Sequence, residues 1–328
     1  MIRIPFDEAA AVLAAVLGDR GFPPDGAALS ARLFCQANRD GVLSHGLDRF
    51  GNLIGAVDSG RVDPAASPER TWSGGALERW NGRRGPGNLN AHACMSRALE
   101  LAEEFGVGCV ALAETNHWMR AGNYGWQAVD AGFIGLCWTN TMPNLPPWGS
   151  SRPLVGNNPL VVAVPREAGP VVLDMALSQF SYGALSRHAA AGTRLPVTGG
   201  YDGEGRLTDD PAAVAESMRP LPVGFWKGSG LAVALDLVAA LLSGGRATCD
   251  IPSDPGSETG VSQVFLAFAP PAHPGLADRV VDSLAAGAPG EEVFYPGERT
   301  LRKRRESDRD GIPVDESVWR NILEMRRR

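Results

Sequence analysis

Lysine is almost missing from this chain: Lys227 and Lys303 are the only two among 31 basic residues, and the rest are arginines. The balance is acidic, with a net charge of −6 and a pI near 5.5, which argues against a nucleic-acid surface. The one cationic run, Arg302-Lys303-Arg304-Arg305, reads as a solvated helix face. Cysteine is sparse as well. Cys35, Cys94, Cys109, Cys137 and Cys249 are odd in number and widely spaced, as reduced structural thiols are, which points to a reducing compartment. The five histidines, His45, His92, His117, His188 and His273, are scattered, with no His-Glu-x-x-His and no Cys-x-x-Cys, so no metal is expected. There is no Gly-x-Ser-x-Gly elbow and no Gly-x-Gly-x-x-Gly fingerprint, which argues against an α/β-hydrolase and a Rossmann dinucleotide site. No apolar run reaches membrane-spanning length without a charge or turn residue, and no basic-then-apolar leader opens the chain; a cytoplasmic enzyme is the expectation.

What is present describes a globular protein. At 328 residues with 44% hydrophobic and 21% charged residues, the chain can bury a core without disulfide or metal staples. Three- and four-residue apolar spacing predicts helices over 7–17 and 25–38, broken at Gly21-Phe22-Pro23-Pro24. A Pro-, Gly- and Trp-rich stretch, 61–87, suggests a crossing loop or hairpin. Helix and strand then alternate: helices over 89–105, 124–131 and 179–191, and strands over 108–113, 134–139, 160–164, 171–174 and 264–269. This alternation predicts an α/β fold, a sheet covered by helices. The helix over 229–242 is apolar almost all round and should be buried, leaving Asp236 in need of a partner or an active-site role. Amphipathic helices over 275–284 and 315–325 close the chain.

Three stretches carry chemistry. In Arg39-Asp40-Gly41-Val42-Leu43-Ser44-His45-Gly46-Leu47-Asp48-Arg49-Phe50, a helix from Ser44 continuing to Ile54 puts His45 and Arg49 on one face. A guanidinium clamps a carboxylate, and an imidazole titrating near neutrality passes a proton to an adjacent carbonyl oxygen, so the pair suits a 2-oxo acid. Ser44 could orient either group. The same spacing fits equally well a packing histidine and an arginine paired with Asp48. Glu114-Thr115-Asn116-His117-Trp118-Met119-Arg120 lies just past a strand, where open α/β sheets bind ligands, although a turn with self-satisfied Asn and His explains it as well. Gly224-Phe225-Trp226-Lys227-Gly228-Ser229-Gly230 opens a helix, where free N–H groups and one of only two lysines could hold an anion. Helices with few charges and segments such as Pro147-Trp148 and Phe225-Trp226, costly to leave wet, predict a dimer whose interface adjoins the cofactor.

These strings, with Tyr124-Gly125-Trp126-Gln127, Pro146-Pro147-Trp148-Gly149 and Asn158-Pro159, resemble the type-2 malate/L-lactate dehydrogenase family over nearly the whole chain. Phe180-Ser181-Tyr182-Gly183, Trp226-Lys227-Gly228-Ser229-Gly230 and Asp315-Glu316-Ser317-Val318-Trp319 bring it nearest to members that reduce the 2-oxo sugar acid 2,3-diketo-L-gulonate. The resemblance implies a non-Rossmann mixed-sheet cofactor domain over 76–289, a helical domain from both chain ends (1–75 and 290–328), and a homodimer. It implies NADH or NADPH as cofactor and His45 as proton donor, with Ser44, Arg49 and His117 on the substrate. The cofactor contacts would fall on Pro170, Val171, Val172, Leu173, Asp174, Met175 and Ala176, on Trp226 and Lys227, and on Gly297, Glu298 and Arg299. Where many members carry a charged residue after the glycine, this chain has Ala184, which leaves His45 without that helper. The rival expectations are a dehydrogenase of another 2-hydroxy acid, such as malate, lactate or ureidoglycolate, and a sugar-acid binding protein without turnover.

Overall fold

The computed structural model describes residues 1–253, 258–270, 272–273, 275–287 and 290–326; the expected domain limit at 289 and the last two residues lie outside them. The chain begins with β1 (Ile2–Ile4), α1 (Phe6–Gly18), α2 (Pro24–Arg39), α3 (Phe50–Asp58), β2 (Glu69–Gly74), β3 (Leu77–Asn81), α4 (Gly87–Phe105) and β4 (Val107–Asn116). It continues with α5 (Gly122–Asp130), β5 (Ile134–Thr139), β6 (Leu160–Val164), β7 (Val171–Met175), α6 (Tyr182–Ala190), β8 (Gly200–Tyr201), β9 (Leu207–Thr208) and α7 (Pro211–Ser217). The remainder is α8 (Trp226–Ser243), β10 (Thr259–Phe268), α9 (Gly275–Gly287), α10 (Glu298–Asp310), β11 (Ile312–Val314) and α11 (Glu316–Met325).

Both chain ends build one helical layer. β1 pairs antiparallel with β11, and Leu13, Leu17, Phe34, Phe50 and Leu53 share a buried core with Ile312, Val314 and Ile322. Proline opens α2, where its missing N–H costs nothing because the first helical donors have no partner inside the helix. The second layer is a seven-stranded sheet ordered β2-β3-β4-β10-β5-β6-β7. Only β3 and β4 run parallel, so the topology is mixed and not doubly wound. α4 and α5 cover one face around Leu101, Leu112, Trp118, Tyr124 and Phe265, while α8 covers the other through Ala239 against Trp138 and Val264. The expected boundary at 75 passes between β2 and β3, two strands that pair with each other.

The helix expected to be buried is not buried in a single chain. On α8 the small residues Gly228, Ser229, Ala232, Ala239 and Ser243 are buried, whereas Leu237 and Leu241 are 51% and 75% exposed. The small residues seat the helix closely on the sheet, and an outer apolar face is left over, so the all-round pattern has two causes. Among the described residues α8 alone is long and apolar enough to cross a membrane by length and composition. Asp236 has found a partner: its carboxylate accepts hydrogen bonds from Asn140 Nδ2 at 2.8 Å and from the backbone N–H of Thr248 at 2.9 Å, so its role is structural.

Candidate active site

The loop carrying His45 is shaped by Asn38, a buried side chain near the end of α2. Its Oδ1 accepts from the Leu47 N–H at 2.7 Å and its Nδ2 donates to the Pro313 carbonyl at 2.8 Å, tying the loop to both α2 and β11. A Cβ on Gly46 would stand 1.9 Å from that Oδ1, so no other residue fits. The expected continuous helix from Ser44 to Ile54 is therefore absent. Two single 3₁₀ turns, Leu43–His45 and Leu47–Arg49, flank an extended Gly46 before α3 begins.

His45 nonetheless meets the groups expected around it. Ser44 Oγ lies 3.1 Å from His45 Nδ1, and the rings of His45 and His117 stack with centroids 6.0 Å apart and planes 21° from parallel. His117 Nδ1 accepts from the Met119 N–H at 3.0 Å, which leaves its Nε2 as the protonated, donating nitrogen. Burial and the charges of Arg49 and His45 hold His117 well below the usual imidazole range, which suits a neutral hydrogen-bond donor. The expectation that His45 titrates near neutrality is corrected. Burial first, then the charges of Arg49 and Arg120, pushes it down to about 4. Arg49 makes no ion pair with Asp48, and the carboxylate whose charge acts on it is Glu258. The N-terminal turn of α6 closes over Ser44, since a Cβ on Gly183 would come within 2.9 Å of Ser44 Oγ.

Three charged residues here were given no role from the sequence. Glu258 accepts from the Met142 N–H at 3.0 Å, and burial raises its carboxyl against the opposing pull of that bond and of Arg49. Arg120, 3% exposed, pairs with Asp40. Asp40 in turn receives Arg304 Nε and Nη2, each at 2.8 Å, from α10. Arg120 lay in the string after a strand and Asp40 in the stretch that carries His45, each without a partner named, and Glu258 had no signal. The strand itself runs further than expected: β4 includes Glu114, Thr115 and Asn116, and Asn116 spends its amide on the carbonyls of Arg84 and Gly85, which is the bland reading of that residue.

The three segments expected at the cofactor flank one edge strand. β7 carries Val171 to Met175 at the sheet border. At its start the Val172 N–H donates to the Pro296 carbonyl, and Gly297, at φ +97°, sits where a Cβ would be 3.0 Å from Val172 N. Just past its end the Val223 N–H donates to the Leu177 carbonyl, which delivers Trp226 and Lys227 at the head of α8. Asp174 accepts from the Gly122 N–H at 2.9 Å, joining β7 to the segment that follows His117. Phe225, which caps α8, is held at φ +58°, a left-handed conformation that costs on the order of 1–3 kcal/mol in a non-glycine residue. The result is an exposed edge with a lysine and the aromatic face of Trp226, 64% exposed, a set that fits a dinucleotide, but the expected free helix-start donors are not there, because the Lys227 and Gly228 N–H groups already donate to the carbonyls of Gly224 and Val223.

The model of the malate/L-lactate dehydrogenase family matches residues 4–323. The chain belongs to that family. It is similar to 2,3-diketo-L-gulonate reductase of Citrobacter koseri, 41% identical over 98% of this chain and 99% of the relative, and to the Escherichia coli protein of the same name at 40%. Among solved structures it is similar to sulfolactate dehydrogenase from Methanocaldococcus jannaschii, with a TM-score of 0.89, 27% identity and coverage of 99% and 96% of the two chains. Like other malate/L-lactate dehydrogenases, then, the protein is an oxidoreductase acting on 2-hydroxy acids with a nicotinamide cofactor, built on a mixed sheet and not on a Rossmann fold.

Proposed function

We propose that the protein reduces 2,3-diketo-L-gulonate at C2, with NADH or NADPH as hydride donor and His45 as the acid. The observation that carries this reading is the cluster of His45, His117, Ser44 and Arg49, combined with relatives of that name at about 40% identity over almost the full chain. When bound, the reduced nicotinamide supplies the hydride. Arg49 clamps the substrate carboxylate. His117 donates from Nε2 to a substrate oxygen, and Ser44 holds the His45 ring. As the C2 carbonyl carbon gains hydride, its oxygen takes the His45 proton, and the imidazole is left neutral. Glu258, whose charge acts on Arg49, is available to accept hydroxyl hydrogens of the sugar chain. Pro170 to Ala176, Trp226 with Lys227, and Gly297 to Arg299 would hold the cofactor, Lys227 on its anionic part. The outer face of α8 is covered by a second copy, which gives a homodimer, and the protein works in the cytoplasm.

Incubation with NADH or NADPH and a panel of 2-oxo acids, following nicotinamide absorbance, tests this. Turnover fastest with the diketo sugar acid is expected. Preference for pyruvate or oxaloacetate would shift the assignment to lactate or malate, and tight binding of the sugar acid with no loss of reduced cofactor would make the protein a binder only.

A further inference from the structure

Behind the catalytic loop lies a buried ion cluster that binding and proton transfer do not use. Asp40 caps α2, five residues before His45, and its side chain is 1% exposed. It takes Arg120 from the segment after β4 and both Nε and Nη2 of Arg304 from α10, with Arg39 Nε at 3.6 Å. Arg304 is further held by stacking 4.0 Å over the Trp126 ring of α5. One carboxylate thus joins α2, the His117 segment and α10, the helix that begins at the cofactor turn. Asp40 is the buried carboxylate on which the guanidinium charges of Arg120 and Arg304 converge, so removing either sign changes the field behind the site.

We infer that Asp40 is a positioning residue for the reaction: by holding Arg120 and offsetting its charge, it sets how readily His45 takes up its proton. The inference rests on the proposal that His45 is the acid. The charged and titratable groups around His45 are Arg49 beside α3, Arg120 and His117 after β4, Asp174 of β7 close to Arg120, and Glu258, whose charge acts on Arg49, while Arg187 on α6 lies near Gly183. Those around Asp40 are Arg39, Arg120, Arg304, Asp130 and, lining the same cavity from α4, His92, with Asp308 reaching Arg39 at 4.0 Å. Arg120 follows three residues after His117, whose ring stacks on His45 with centroids 6.0 Å apart, so the Asp40–Arg120 pair stands behind that stack; Arg49 and Arg120 both oppose protonation of His45, and Asp40 is the carboxylate ion-paired with Arg120.

The sign of two substitutions separates this role from simple scaffolding. Asp40→Asn removes the negative charge, so the decline of kcat for reduction with rising pH should move to lower pH, by about half to one unit for one buried charge at this range. Arg304→Met removes a positive charge and should move it to higher pH. A cavity of about 240 Å³ lined by Arg39, Asp40, Asn123, Gln127 and Arg304 leaves room to hydrate Asp40 in that variant, so it should fold even if Asp40→Asn does not. The double variant should return towards the parent profile. NMR titration of the His45 ring in the full chain reads the same effect directly. If the ring titration shifts in opposite directions and the kcat limb does not follow, Asp40 sets the proton affinity of His45 as inferred, and it is the assignment of His45 as the acid, and with it any role of Asp40 in the reaction, that falls. If the ring titration stays put in Arg304→Met, or moves the same way in both variants, the inference is overturned.

Discussion

Binding of the 2-oxo acid should draw a proton into the protein, and the amount can be worked from the site. With His45 pushed down to about 4, only about one molecule in a thousand carries the proton at pH 7, whereas an acid matched to its task titrates near the working pH. Burial disfavours the charged ring first, and the next cause is Arg49. A substrate carboxylate on Arg49 cancels that charge and places a negative group beside the ring. Lifting His45 from about 4 to about 7 needs roughly 4 kcal/mol of differential interaction, within reach of a desolvated carboxylate a few ångström away. The expected uptake approaches one proton per site near pH 6. It is measured by titration calorimetry in buffers of different ionisation heat, using the protein with NAD⁺ and the 2-oxo acid. The two kinetic profiles should also part. kcat/KM for reduction reports the free protein and should fall about tenfold per unit from pH 5 to 8, while kcat bends only at the higher value in the complex. Buffer-independent heats, or a single break near neutrality in both profiles, would refute the reasoning.

Other consequences follow from single residues. His45→Gln should keep cofactor binding, lose two to four orders of magnitude in turnover, and abolish the proton uptake. A histidine whose folded value lies below its unfolded one gives stability that is complete above about 6.5 and is lost as pH falls towards 4. The same variant should therefore lose about 1–2 kcal/mol less than the parent between pH 7.5 and 5, allowing for partial exposure, as urea melts at the two pH values would read. Lys227→Met should raise the Michaelis constant for the reduced cofactor more than that for the oxo acid; an unchanged cofactor constant counts against its role. Gly46→Ala drives a methyl into Asn38 Oδ1 and should cost about 1–3 kcal/mol, seen as a lower Tm, with a larger loss of activity. Leu241→Glu, on the exposed face of α8, should turn a dimer into a monomer by sedimentation; a parent protein that is already monomeric removes the proposed interface.

Much of the layout is legible from periodicity alone. β5 and β6 begin and end at the residues that alternation predicted, and the hairpin suspected within 61–87 is β2 and β3. Those segments bury side chains against neighbours whose pattern repeats along the chain, so local reading suffices. His45 and Arg49 were legible as a pair because their separation in sequence brings them together in a helix or in two 3₁₀ turns alike. The helix itself was not, because what breaks it is an amide on α2 that answers a carbonyl of β11, 275 residues away.

The same distance hides what governs the histidine. Asp40 reaches Arg304 across 264 positions, and Glu258 reaches Met142 across 116. In sequence an aspartate next to an arginine reads as an ordinary surface pair, and Arg302 to Arg305 as a solvated face, because nothing local says which of four adjacent cations turns inward. The fold decides it: Arg302 and Lys303 spend their charges on Glu298 and Glu306 of their own helix, and Arg304 faces Trp126 and Asp40. A buried carboxylate must be paired, so once α2 and α10 pack, Asp40 selects the arginine and the arginine fixes the face. The residues proposed to do the chemistry stand in short strings. Those that tune it became visible only when the chain ends met.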